Sequence, residues 1–126
     1  MADISRWWAD NAAAGKMSIL GAYSFGKAQR LMAGVTPSGP ILTHGAVEEV
    51  TAILRAQGCA LPPTLRVGPG IDAKSHPGAL VIAPPSALGS AWARRFGAAD
   101  VAFASGWMRL RGVRRRRGAE TGFVLS

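Results

Sequence analysis

A single cysteine, Cys59, and two histidines, His44 and His76, are all the thiol and imidazole that 126 residues offer. One cysteine cannot close an internal disulfide, and so few ligands exclude a conventional zinc site built by this chain. Acidic residues are scarce too. Seven stand against fifteen Lys and Arg, giving a net charge of +8 and a sequence pI near 11.3. Long apolar runs are missing: the uncharged stretch from Pro77 to Ala93 contains Pro84, Pro85, Ser86, Gly89 and Ser90, which excludes a membrane span. The first residues carry Asp3 and Arg6 where a signal peptide needs a continuous apolar core, so a cytoplasmic chain is expected. With 48% hydrophobic and 17% charged residues, neither disorder nor a charged linker fits. The length suits one domain, residues 1–126, able to bury about two-thirds of its unfolded surface.

What is present in excess is positive charge, and it is unevenly placed. Eight of the twelve arginines lie between Arg94 and Arg117, and Arg114, Arg115, Arg116 and Arg117 are consecutive. The Arg-rich segment 109–117, with Arg111, suits a polyanion, because binding to nucleic-acid phosphates releases condensed counterions. The same run also suits a solubilising turn.

Apolar periodicity predicts strands alternating with helices. Asp3 can cap a first helix with the stripe Ile4, Trp7, Trp8 and Ala12, ending near Gly15. Residues 17–23 read as a buried strand leading into a helix that opens at Ser24 and stops near Gly34 and Pro37. Residues 40–42 form a second strand. A helix over 43–57 follows, with Val47, Val50, Ile53 and Leu54 inward, Glu48 and Glu49 in its first turn and Arg55 in its last. Residues 61–77, rich in Pro and Gly, read as a long loop with one edge strand at 65–67. A third strand is expected at 79–83, a helix at 86–96 with Leu88, Trp92 and Phe96 at one-turn spacing, a fourth strand at 101–104 and a last one at 122–126. Turns this short imply right-handed crossovers. The fold class is therefore α/β, three-layer, with a mainly parallel sheet and helices on both faces, incomplete at both ends. In such sheets ligands bind where the C-terminal ends of strands meet the following helices.

Gly21 to Ala28, at a strand-to-helix turn, nearly matches the phosphate loop G-x-x-x-x-G-K-[ST] but has Ala28 where a magnesium-binding hydroxyl is needed. The underlying physics remains: helix-start amides and Lys27 suit one phosphate, though a structural turn with a solvated lysine fits as well. Tyr23, Ser24, Gly26, Lys27 and Gln29 are the candidate contacts. His44, after the second strand, points to the same edge or caps the next helix. His76 belongs to no constellation. Cys59 reads as a small buried residue. Trp7, Trp8 and Trp92 read as core, and Trp107 as core or as a platform for a base.

The order of segments resembles the β-CASP family of metallo-β-lactamase-fold nucleases, and within it the bacterial ligase-associated DNA exonucleases. Ser18-Ile-Leu-Gly-Ala-Tyr-Ser-Phe-Gly-Lys-Ala-Gln-Arg30 resembles the family's strand-turn-helix segment with its Leu-Gly-[Arg/Lys]-Ala-Gln core, Phe25 replacing Leu. Val81-Ile-Ala-Pro-Pro-Ser-Ala-Leu-Gly-Ser90 and Ala104-Ser-Gly-Trp-Met-Arg-Leu-Arg-Gly112 resemble two later blocks, and Gly122-Phe-Val-Leu-Ser126 the strand before the family's Asp-His pair. The resemblance implies a substrate-gripping part of a metal-dependent DNA exonuclease in DNA repair, inactive alone. It implies two divalent metal ions, zinc in the full-length enzyme, held by a His-x-His-x-Asp-His motif that this sequence lacks. It also implies Ser86 and Trp107 as substrate contacts beside the Tyr23–Gln29 turn and the arginines. The implied partners are DNA, the metallo-β-lactamase domain of the same protein, and a DNA ligase and helicase. An RNA 3′-end-processing nuclease, a non-catalytic basic α/β binding module and a small-molecule phosphate enzyme are the alternatives.

Overall fold

The computed structural model describes residues 2–23, 26–68, 71, 75–88, 91–97, 99–104, 113–115 and 118–122. Its elements run α1 (Ala2–Ala13), β1 (Ser18–Gly21), α2 (Lys27–Gly34), β2 (Ile41–Thr43), α3 (Gly45–Ala56), β3 (Leu65–Arg66) and β4 (Leu80–Ala83). A 3₁₀ turn (Pro85–Ala87), α4 (Ala91–Arg94), β5 (Asp100–Phe103), β6 (Val113–Arg115) and β7 (Gly118–Gly122) complete the order. One sheet holds all the strands in the order β3-β2-β4-β1-β5-β7-β6. The pairs from β3 across to β7 are parallel, and β6 runs antiparallel to β7.

Every residue of β1, β2 and β4 is buried, as strands covered on both faces must be. Their side chains alternate between two cores. Leu20, Ile41, Leu80, Ile82 and Ala102 pack with Ile4, Trp7 and Trp8 of α1, with Leu31 and Met32 of α2 and with Val47 of α3. Ile19, Leu42, Val81 and Val101 pack on the opposite face with Val67, Ile71, Leu88, Trp92 and Phe96. The distribution follows from chain handedness. The β1–α2–β2 and β2–α3–β3 connections step one way along the sheet, and the connections into β4 and β5 step the other, so right-handed crossovers require opposite faces. The fold is a three-layer α/β sandwich.

Helix α1 is fastened by its indoles. Trp8 Nε1 donates to Gly78 O at 2.8 Å, and Trp7 Nε1 to Asp100 Oδ2 at 2.8 Å. Asn11 Nδ2 donates to Ser18 Oγ at 2.9 Å. Asp3 lies inside the first turn of α1 rather than preceding it.

Several expectations are corrected. Of the residues expected inward on α3, Val47 is buried but Ile53 is 55% exposed, and Thr51 faces inward in its place. The sheet beneath α3 ends in the two-residue β3, too narrow to cover the Ile53 side. In place of one helix expected over 86–96, the described residues show a 3₁₀ turn, its start constrained by Pro84 and Pro85, and the single turn α4, and residues 89 and 90 lie outside them. Cys59 is exposed, since it follows the α3 end in a surface connection. The last strand spans Gly118–Gly122, and residues 123–126 lie outside the described residues.

Candidate functional site at the sheet edge

Adjacent strands β1 and β4 send their connections to opposite faces, and so do β4 and β2. Their C-terminal ends form the switch point at which open α/β sheets bind ligands. Four chain segments converge there: the turn after β1, the Pro84–Ala87 turn after β4, His44 after β2, and Arg66 at the end of β3.

The turn after β1 closes on itself. Gly26 adopts φ 84, a conformation that a side chain would strain, and its N–H donates to Gln29 Oε1 at 2.8 Å. Ala28 N–H donates to Tyr23 O at 3.1 Å. Two amides that would face a phosphate are thus already spent within the chain. Gln29 is 3% exposed, and its Nε2 reaches Thr51 Oγ1 at 3.1 Å, tying α2 to α3. The residue expected to touch the substrate is therefore an internal brace. Tyr23 and Lys27 differ. Tyr23 is 60% exposed, and half-buried Lys27 has no carboxylate or hydrogen-bond partner among the described residues. Ser86 is exposed in the neighbouring turn.

His44 caps α3. Its Nδ1 accepts Ala46 N–H at 3.0 Å, which fixes the proton of the neutral ring on Nε2. The ring meets Trp92 edge-on, centroids 4.8 Å apart, and Trp92 meets Phe96 in the same way at 5.2 Å. Trp92 is thus half-buried core and also the support of an edge residue. Burial first, and then the positive charge of Arg66, hold the His44 pKa below its ordinary 6.5. The Arg66 guanidinium lies against Gly45: a Cβ there would come within 2.8 Å of Nη2. Behind it, Thr43 Oγ1 donates to Glu48 Oε1 at 2.7 Å, and Glu48 pairs with Arg55 at 3.5 Å, so this carboxylate is engaged elsewhere.

Ser24, Trp107, Arg111, Arg116 and Arg117 lie outside the described residues, and Arg114 and Arg115 are described only as backbone of β6. The structure brings Tyr23, Gly26, Lys27 and Ser86 to one edge. It adds Arg66, which sequence reasoning passed over. The signal was available: residues 65–67 read as an edge strand of a parallel sheet, so its last residues had to emerge at the ligand-binding edge.

Among the described residues no three His, Cys, Asp or Glu side chains stand together. His44 Nδ1 is taken by an amide, and Asp100 accepts from Trp7 and Asn11 at the start of β5, so these donors do not fit a metal ion. No helix among the described residues is long and apolar enough to cross a membrane.

No family model matches the chain, and no solved structure does. The chain is similar to a curated protein of Opitutus terrae named "Probable DNA ligase", with 29% identity over 125 residues. That stretch is 98% of this chain and 12% of the relative, so the chain spans about an eighth of the protein it matches.

Proposed function

We propose that this chain is the substrate-gripping part of a longer DNA-processing enzyme, a metal-dependent DNA exonuclease of the β-CASP type associated with DNA ligation. Lys27 carries the reading. It is an ammonium with no carboxylate partner among the described residues, at the switch point of a parallel sheet, beside the exposed ring of Tyr23, in a chain of net charge +8. The match to a stretch of a DNA ligase supports DNA as the polyanion and ligation as the setting. In this reading the metal ions and the hydrolytic chemistry belong to other residues of the longer protein. The described donors offer no metal site, and this chain's own residues bind and orient the backbone. Lys27 supplies a point charge to a phosphate, and Tyr23 a face on which a base can stack.

Lys27→Ala tests this by fluorescence anisotropy with labelled DNA. Affinity should fall by about 1 to 3 kcal/mol, the usual worth of a hydrogen bond to a charged group, while the melting temperature stays constant because Lys27 bonds no other described residue. Wild-type affinity in the variant would overturn the phosphate role. A large fall in melting temperature would make Lys27 structural.

A further inference from the structure

Arg66 has no carboxylate partner and no hydrogen bond among the described residues, and its side chain is exposed. Its guanidinium nonetheless lies against Gly45, at the first turn of α3. A helix N-terminus carries partial positive charge, so a cation there is disfavoured by the protein alone. In the first turn of α3, Glu48 is engaged with Arg55, Thr43 and Thr64, and Glu49 is exposed without an ion pair to Arg66. His44 adds no compensation. It is braced by Trp92 and capped onto Ala46, and its neutral ring keeps its donor on Nε2. Among the described residues Arg66 therefore has no carboxylate partner.

Its position relative to Lys27 is set by the sheet. Arg66 ends β3, Lys27 opens the helix after β1, and β2 and β4 lie between. Three strand spacings separate the two strands, roughly 14 Å. That is too far for one phosphate and suited to two phosphates a few nucleotides apart. Along the way the ends of β4 and β2 present exposed Ser86 and half-buried His44, both hydrogen-bonding groups. The exposed ring of Tyr23 at the Lys27 end adds the aromatic surface that cationic grooves for single strands combine with charge.

We propose that Arg66 and Lys27 hold two phosphates of one DNA single strand laid across the C-terminal ends of β1, β4, β2 and β3. The proposal rests on the DNA-gripping reading above and deepens it by giving the strand a direction: it crosses the sheet edge perpendicular to the β-strands.

The test uses the chain with a labelled twelve-nucleotide oligothymidylate, titrated at several salt concentrations, for wild type, Lys27→Ala, Arg66→Ala and Arg66→Lys. Arg66→Ala should weaken binding about tenfold and make the logarithmic salt slope shallower by about 0.7, the share of one single-strand phosphate, with Arg66→Lys recovering most of the slope. The melting temperature should stay constant, because Arg66 makes no hydrogen bond or ion pair with another described residue. If wild type binds and Lys27→Ala weakens it while Arg66→Ala leaves affinity and slope unchanged, the path across the edge is wrong and the general reading stands. If wild type fails to bind the oligonucleotide, the DNA-gripping reading itself falls. A lowered melting temperature with an unchanged slope would make Arg66 structural and overturn the proposal.

Discussion

The Nδ1 atom of His44 can accept the Ala46 amide only while it carries no proton, so the cap on α3 is tied to the charge of one imidazole. Its folded-state pKa is depressed below 6.5, by burial and then by Arg66, whereas in the unfolded chain it titrates at its ordinary value. The unfolded state therefore binds the proton more readily. The stability this residue contributes is complete above pH 6.5 and is lost as the pH falls from there through the folded pKa. Between about pH 7.5 and 5.5 the melting temperature should drop. His44→Asn, whose amide oxygen can still accept the Ala46 N–H, should flatten that drop, and His44→Ala should cost about 1 kcal/mol near neutral pH as a lost cap. An equally steep decline in His44→Asn would place the titration on another group. The sequence showed that His44 stood after a strand and before a helix, and left open whether it capped the helix or faced a ligand. Backbone position was legible there, but the ring's partner was not, because Trp92 arrives from a segment 48 residues away on the opposite face of the sheet.

At the scale of elements, helix α2 is seated by Gln29, which bonds the turn that precedes it and the helix that follows it in the sheet layer. Gln29→Ala removes a turn bond and leaves buried Thr51 without that donor. A destabilisation of about 1 to 3 kcal/mol is expected in denaturant melts, larger than that of Lys27→Ala two positions earlier. Equal stabilities for the two variants would return Gln29 to the binding surface. Strand and helix positions were legible because each rests on local periodicity: β1, β2, β4 and β5 all fall within a few residues of the apolar runs that predicted them. Burial on one side of an element was less legible. The stripe on α3 correctly contained Val47 but also Ile53, because the number of strands beneath a helix is decided by residues far along the chain. The 3₁₀ turn at the start of this segment was foreshadowed by Pro84 and Pro85, whose punctuation was outweighed by the regular spacing of Leu88, Trp92 and Phe96.

For the molecule as a whole, the sheet edge with Lys27 and Arg66 and the arginine run are two separate concentrations of positive charge. The edge was half legible: the rule that ligands sit at C-terminal strand ends led to Tyr23 and Lys27, and the two-residue β3 concealed Arg66. The run from Arg114 to Arg117 was legible as charge alone, and it begins in β6, three strand positions from β1, whose turn carries Lys27. Sites so separated should act additively on binding. Replacing Arg114, Arg115, Arg116 and Arg117 together with Ser should make the salt slope for single-stranded DNA shallower by about 0.7 for each phosphate that is no longer neutralised. The same change should appear in a background that already carries Lys27→Ala, since neither source depends on the other. Affinity titrations of the four combinations at three salt concentrations check this. A slope unaffected by the four replacements would assign the run to solubility and leave the edge as the seat of binding. An effect that vanishes in the Lys27→Ala background would mean that both grip the same phosphates, and that the arginines fold over the edge when DNA is bound.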